Sequence, residues 1–107
     1  MIRVRVKRVS GHVAGLTVSG HAGSGPKGED LVCAAVSALV QTYFFSLQRL
    51  LGMNIDADVR DGYFSFQIPA ETKAETRERA TFLAESLLVG LDEINNSYSG
   101  YLQVSEE

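Results

Sequence analysis

Residues 20–39, GHAGSGPKGEDLVCAAVSAL, carry the chain from a strand end through a glycine-rich turn into a long helix. The segment 22–29 contains three glycines and a proline, a composition that does not support a regular helix or strand. From about Asp30 to Leu51, apolar residues recur every three or four positions, which predicts a helix with one buried stripe. Asp30 is the predicted N-cap of this helix and Gly52 its predicted stop.

Upstream of this junction, two segments alternate apolar and polar residues, which is the period of a half-buried strand. The first covers residues 2–10, and the second covers residues 16–20 after a turn at 11–12. The short connection predicts an antiparallel pair. His21 therefore stands at the end of the second strand.

Downstream, residues 55–59 and 64–68 alternate in the same way, and the Asp-Gly pair at 61–62 predicts a two-residue hairpin turn between them. A second helix is predicted over 71–95, with apolar residues on one face and acidic residues in its early turns. A last short strand is predicted over 101–104.

The predicted order is ββαββαβ, which indicates an α+β fold. We expect a two-layer sandwich in which both helices cover one face of a mostly antiparallel or mixed sheet. A chain of 107 residues supports one compact domain, 1–107, and not two separate cores. The other sheet face, with Arg3, Arg5 and Thr17, is either solvated or partly hidden in a homodimer, and we expect a homodimer.

Charge and composition limit the classes of partner. Thirteen acidic residues against ten basic ones give a net charge of −3, which predicts no direct nucleic-acid partner and suits a basic polypeptide. No stretch reaches the ~20 uninterrupted apolar residues of a membrane helix, and the N-terminus does not resemble a signal peptide. We therefore expect a cytoplasmic protein without a membrane partner.

The chain has a single cysteine, Cys33, so it cannot form an intrachain disulfide. A lone thiol is either a small packing residue or a reactive nucleophile. His21 lies 12 positions earlier, across the glycine-rich loop, and its imidazole can plausibly reach the sulfur. If Asp30 caps the helix, Cys33 lies in the first turn, where free backbone N–H groups stabilise a thiolate. Spacing alone leaves both roles open.

Neighbouring residues have open roles as well. Asp30 either orients His21 or only caps the helix. Ser37, one helical turn after Cys33, either lines the site or packs. Backbone N–H groups around Cys33 are the expected donors to an oxyanion.

Other site types fit the sequence less well. Gly23, Gly25 and Gly28 form a formal GxGxxG, so a phosphate- or nucleotide-binding module is an alternative, although Pro26 removes one backbone donor. A lone cysteine makes a poor zinc signature, and we predict no metal and no cofactor.

The residues Gly20-His21-Ala22, followed by GEDLVCAAVS at 28–37, closely resemble the Prp family of ribosomal-processing cysteine proteases. The resemblance covers the whole chain in outline. It implies a small two-layer α/β domain, found as a dimer, with Cys33 as nucleophile and His21 as general base. Asp30 and Ser37 match further active-site residues of the family.

The resemblance also implies a substrate. It is the N-terminal extension of large-subunit ribosomal protein number twenty-seven, which the family cuts after paired phenylalanines. The loop 22–29, with Gly23, Gly25 and Gly28, would then act as a mobile lid that admits the peptide. A ribosome-associated binding module without catalysis is the remaining alternative.

Overall fold

The computed structural model describes residues 1–20 and 27–107, with the backbone alone for 27–30. The elements follow the predicted order and alternate between a sheet and two long helices. They are β1 (Ile2–Val9), β2 (His12–Ser19), α1 (Lys27–Arg49), β3 (Asp58–Arg60), β4 (Tyr63–Gln67), α2 (Ala74–Ser97) and β5 (Leu102–Glu106).

The five strands form one mixed sheet in the order β3-β4-β2-β1-β5. Three neighbouring pairs are antiparallel, and β5 lies parallel to β1. The α+β sandwich and the ββαββαβ order predicted from the sequence are therefore confirmed. Because β1 pairs with β2 on one side and β5 on the other, it lies inside the sheet and not at an edge.

Alternation along β1 explains the two layers. Ile2, Val4 and Val6 are almost completely buried, whereas the residues between them are exposed. Both helices add their buried residues to the same cluster, so they cover the same face of the sheet. Leu47 of α1 and Leu91 of α2 have no exposed surface at all. The opposite face of the sheet carries polar and charged side chains.

The start of α1 corrects the prediction for Asp30. The helix begins at Lys27, three residues earlier, so Asp30 lies within its first turn and is not the N-cap. Lys27 and Glu29 are good helix formers, and a proline precedes them in the sequence, as is common at helix starts. Residues 27–29 therefore belong to the helix and not to the predicted loop 22–29, the rest of which lies outside the described residues.

The end of α1 confirms the predicted stop. Its last helical residue is Arg49, and Gly52 adopts a positive φ of 64°. Beyond that glycine, the amide of Met53 donates a hydrogen bond to the carbonyl of Leu47 at 3.1 Å. A left-handed residue at this position closes the helix and turns the chain back towards it.

Two turns define the hairpins. The Asp-Gly turn at 61–62 is confirmed, since Arg60 pairs with Tyr63 and Gly62 has a φ of 67°. In the first hairpin, the turn residues are Ser10 and Gly11, both with positive φ, and His12 already belongs to β2. The sequence placed this turn one residue too late.

Helix α2 begins at residue 74 and not at 71. A local turn precedes it, in which the amide and hydroxyl of Thr72 both donate to the carbonyl of Pro69.

The segment Leu31–Arg49 of α1, with a mean hydropathy of 1.5 over 19 residues, is long and apolar enough to cross a membrane by length and composition. Its inner face, however, forms the core of this domain.

Candidate active site

Cys33 lies at the edge of the buried stripe of α1. It is partly buried and packs against the core, between the fully buried Val32 and Val36. Phe44 follows on the same side of the helix, eleven residues later, and packs edge-on against Phe64 of β4 with ring centroids 5.4 Å apart. Cys33 therefore lies on the side of α1 that faces β4.

The other side of α1 faces α2. A Cβ atom built on Gly90 of α2 would lie 2.8 Å from Cδ1 of Leu39, so the two helices approach closely there. A side chain at position 90 would need the end of Leu39 to shift. Cys33 lies to one side of this contact, because Leu39 and Cys33 point about 120° apart around α1.

The earlier helix start changes the electrostatic setting of Cys33. The predicted position in the first turn is wrong, since Cys33 is six residues beyond Lys27 and lies in the second turn. The amides at the start of α1 without a helical partner are those of residues 27–29, and the dipole effect falls off within this first turn. The amide of Cys33 itself bonds within the helix. Within the described part of α1, the candidate oxyanion donors are therefore the amides of residues 27–29 and not that of Cys33.

Gly20 fixes the attachment point of His21. Its amide donates to the carbonyl of Gly62 in the β3–β4 turn at 3.0 Å, and its φ is +86°. A Cβ at position 20 would lie 2.2 Å from the carbonyl oxygen of Met1. Both the backbone angle and this close approach require glycine. The chain therefore leaves the sheet at a defined place, and His21 is the next residue.

The remaining predicted site residues fall into three groups. Ser37 is exposed one turn after Cys33 on the same side of α1. The backbones of Gly28 and Asp30 lie in the first turn of α1. His21, Gly23 and Gly25 lie outside the described residues, as does the side chain of Asp30.

An aromatic cluster beside the site was only partly predicted from the sequence. Tyr43 and Phe44 of α1 pack against Phe64 and Phe66 of β4, with ring centroids 5.1 to 5.9 Å apart, and the two β4 rings are 6.0 Å from each other. The apolar stripe that the sequence predicts for α1 contains Tyr43 but not Phe44, which lies at its edge. The side-chain amide of Gln48, one turn beyond Phe44 on α1, donates to the backbone carbonyl of Ile55 at 3.0 Å. These contacts hold the Cys33 side of α1 against the sheet.

The arrangement suits nucleophilic chemistry. A partly exposed thiol is accessible to a substrate, whereas a fully buried one would be inert. The thiol lies on the helix that follows the glycine-rich segment, and the strand before that segment ends next to His21. This order joins a potential nucleophile to a potential base through one short stretch of chain.

Comparisons with known proteins agree with this interpretation. Residues 1–103 match the model of a family described as "Cysteine protease Prp". The ribosomal processing cysteine protease Prp of Bacillus subtilis (strain 168) is 33% identical over 110 aligned residues, which cover 98% of this chain and 96% of that protein.

Solved structures have the same fold. The Prp protease of Staphylococcus aureus in complex with a substrate peptide has a TM-score of 0.83 at 23% identity, with both chains fully covered. Its complex with a covalently linked product peptide has a TM-score of 0.79, also at 23% identity and with both chains fully covered. A protein of Streptococcus mutans has a TM-score of 0.79 at 28% identity, over the whole of this chain and 96% of that one.

Proposed function

The chain belongs to the Prp family of cysteine proteases that process ribosomal proteins, and from this premise we propose that Cys33 and His21 form its catalytic pair. The observation that carries the proposal is the position of Cys33, partly exposed on the β4-facing side of α1. Gly20 supports it further, because it directs the chain into His21 from the neighbouring strand.

The proposed reaction is peptide hydrolysis through a thioester. His21 keeps Cys33 ionised, and the thiolate attacks the carbonyl carbon of the scissile peptide bond. As the C–N bond breaks, His21 gives a proton to the leaving amine. Neutral His21 then takes a proton from a water molecule as that water attacks the thioester carbon. The C–S bond breaks, the acid product leaves, and the Cys33 thiolate is restored beside protonated His21. The oxyanion of each step accepts hydrogen bonds from the free amides of residues 27–29.

The proposed substrate is the N-terminal extension of large-subunit ribosomal protein number twenty-seven. The family resemblance around GEDLVCAAVS supports this specific target. The excess of acidic residues supports it as well, because an acidic surface attracts the basic body of a ribosomal protein.

Supporting roles are proposed for the residues around the pair. Ser37 is exposed one turn from Cys33 and contacts the bound peptide in this proposal. Asp30 orients His21 in this proposal. This role is open to Asp30 because the residue lies inside the first turn of α1 and is not its N-cap. The glycine-rich lid moves aside for the peptide through Gly23 and Gly25, whereas Gly28 keeps the first turn of α1 accessible to it.

We propose a cytoplasmic homodimer as the working form. A reducing compartment keeps Cys33 as a free thiol. The dimer is supported by apolar side chains on the outer face of the helix layer, where Leu50 is 71% exposed, Phe82 76% and Val89 65%. Leu50 and Phe82 line a shallow, almost wholly apolar cleft of about 380 Å³ together with Leu83. A second copy of the chain would cover this surface.

The test is cleavage of a peptide that carries the hydrophobic extension and paired phenylalanines. Wild type should cut it, and Cys33→Ala and His21→Ala should leave it intact. His12→Ala removes the other histidine of the chain and serves as the matched control, which should retain activity. Cleavage by either catalytic-site variant would refute the assignment. An intact peptide with wild type, despite a reactive thiol, would favour a non-catalytic ribosome-associated module or a different substrate.

A further inference from the structure

The face of the sheet opposite the helices carries a row of cations along β1. Arg3, Arg5 and Lys7 alternate with buried residues, so their side chains share this outer face. All three are exposed. Across the described part of the chain, none of them takes part in an ion pair or a side-chain hydrogen bond.

The neighbouring strands place little opposite charge beside the row. The cross-strand neighbours of Arg3, Arg5 and Lys7 on β2 are the uncharged Ser19, Thr17 and Gly15. On β5, Gln103 and Ser105 lie beside Arg3 and Arg5. Glu107 is the one acidic neighbour among the described residues, and its backbone hydrogen bonds to Val6 and Arg8 place it beside Lys7. Cations two residues apart on a strand are about 6.6–6.8 Å apart along its axis, and like charges at this range repel. Charges on edge strands often prevent aggregation, but β1 lies inside the sheet, so that explanation does not apply.

The rest of this face adds an aromatic ring and few acids. Ser19 of β2 pairs with Arg3 on one side and with Tyr63 of β4 on the other, so these three residues lie next to one another across the sheet. The guanidinium of Arg60 lies 4.1 Å from the ring centroid of Tyr63. Asp58 is paired with Arg60 at 3.0 Å. Glu107 follows β5 at the far margin of the sheet. Cations therefore outnumber acids on this face.

The cation row ends at a cavity of about 190 Å³. Its polar side chains are Lys7, His12, Gln67 and Arg77, and none of the described residues that line it is acidic. Arg77 is held there by hydrogen bonds from its guanidinium to the carbonyls of Ala70 and Thr72. A small anionic group such as a phosphate is the charge type that suits this lining.

We propose that this basic sheet face, defined by Arg3, Arg5, Lys7, Arg60 and Tyr63, binds single-stranded RNA. The regular steps between the cations suit the repeating phosphates of an extended strand, and Tyr63 offers a ring for a base to stack on. A basic polypeptide would be repelled here. The choice of RNA over other polyanions rests on the proposed function, because an enzyme that processes a ribosomal protein precursor would encounter it close to ribosomal RNA.

Net charge alone predicts no nucleic-acid partner, but it averages two different layers. Five acidic residues lie on α2, in the helix layer: Glu75, Glu78, Glu85, Asp92 and Glu93. Arg3, Arg5 and Lys7 lie on the opposite side of the molecule, whereas Arg8 of β1 pairs with Glu85 of α2 at 2.6 Å. A chain with a net charge of −3 can therefore present a basic surface to RNA and an acidic surface to a basic protein.

The test is fluorescence anisotropy with a labelled single-stranded oligouridine, at low and at physiological salt. Wild type should bind with a log–log salt slope of about −2, the value for three phosphate contacts on a single strand. The triple variant Arg3→Gln/Arg5→Gln/Lys7→Gln should bind at least about tenfold more weakly with a flattened slope. The single variant Arg5→Gln should reduce the slope by about 0.7 and keeps the test decisive if the triple variant unfolds.

The matched control is Arg49→Gln/Lys73→Gln/Arg79→Gln, which removes three exposed cations from the helix layer and should bind like wild type. Absence of binding by wild type, equal losses in both triple variants, or equal competition by duplex RNA or polyglutamate would overturn the proposal. Cys33→Ala should bind the oligonucleotide normally, and the β1 variants should cleave the free peptide normally. A failed peptide assay would therefore count against the proposed function and would not affect the result of the RNA-binding experiment.

Discussion

At the scale of single residues, the reactivity of Cys33 depends on which groups stabilise its thiolate. The thiol lies in the second turn of α1, beyond the amides and most of the dipole effect of the helix N-terminus. The helix alone therefore stabilises the anion less than a first-turn position would. In the proposed mechanism, His21 supplies the larger share of the stabilisation.

The larger share proposed for His21 predicts how fast Cys33 is alkylated. With iodoacetamide at pH 6, Cys33 should react more than about tenfold faster than glutathione, because an imidazolium beside the sulfur raises the thiolate fraction. His21→Ala should lose most of that advantage, whereas His12→Ala should keep it. The measurement is the modified fraction against time by mass spectrometry. A wild-type rate equal to that of glutathione would indicate a structural thiol.

Gly20 allows a second test at the residue scale. Gly20→Ala should lower the free energy of unfolding by about 1–2 kcal/mol for its left-handed backbone and by at least about 1 kcal/mol more for the overlap with Met1. Gly11→Ala is the matched control, since Gly11 has a φ of 83° and no atom within 4 Å of an added Cβ. Urea unfolding measures both. Equal losses would mean that the approach to Met1 carries no cost.

At the scale of elements, α1 is fixed by contacts on both of its sides. Its aromatic residues meet β4 on the side of Cys33, and the hydroxyl of Tyr43 donates to the carbonyl of Ala80 in α2 at 3.2 Å. The hydroxyl is buried, and this burial raises the pKa of Tyr43 well above its usual range. The seam between the helices thus contains a group that must stay protonated.

This buried hydroxyl predicts an alkaline loss of stability. Because the pKa of Tyr43 is raised in the folded state, its contribution is complete below the unfolded value of about 10. Above that pH the unfolded state releases the proton first, so the free energy of unfolding should fall by about 1.4 kcal/mol per pH unit. The loss continues until the pH passes the folded value.

Tyr43→Phe should remove this alkaline slope and cost about 1 kcal/mol at neutral pH for the lost hydrogen bond. Tyr98→Phe, at an exposed position, is the control and should keep the slope of wild type. Urea unfolding between pH 8 and pH 11 provides the comparison. An unchanged slope in Tyr43→Phe would show that other groups cause the alkaline loss.

At the scale of the whole molecule, the two outer surfaces differ in chemistry. The helix layer exposes apolar side chains, and the sheet layer exposes cations. Apolar patches on a small protein mark contacts with another protein, whereas an unpaired row of cations marks contact with an anion. We therefore place the interface of the proposed dimer on the helix layer, which leaves the open sheet face available.

This assignment predicts the mass in solution. Sedimentation should give about twice the 11.6 kDa of one chain for wild type. Phe82→Ser should shift the protein towards a monomer, because it places a polar group in the apolar cleft. Val59→Ser changes a similarly exposed apolar residue on β3 and should leave the dimer intact. A dimer that persists in Phe82→Ser and dissociates in a sheet-face variant would place the interface on the sheet.

The sequence by itself determined the order of elements and the identity of the candidate pair. Local backbone and side-chain preferences determine the two-residue period of β1, the Asp-Gly turn at 61–62 and the stop at Gly52. These preferences depend only on residues that are close together in the sequence. The resemblance around Cys33 and His21 is likewise local in the sequence. These features needed no knowledge of what packs against them.

The tertiary structure decided what depends on distant contacts. The parallel pairing of β5 with β1, the approach of Gly20 to Met1 and the β4-facing side of Cys33 join segments that are far apart in the chain. Hydrophobic burial is non-directional, so periodicity selects the face of a helix but not its neighbour. The same applies to charge, since only the assembled sheet places Arg3, Arg5 and Lys7 on the face opposite the acids of α2 and brings Arg8 to Glu85.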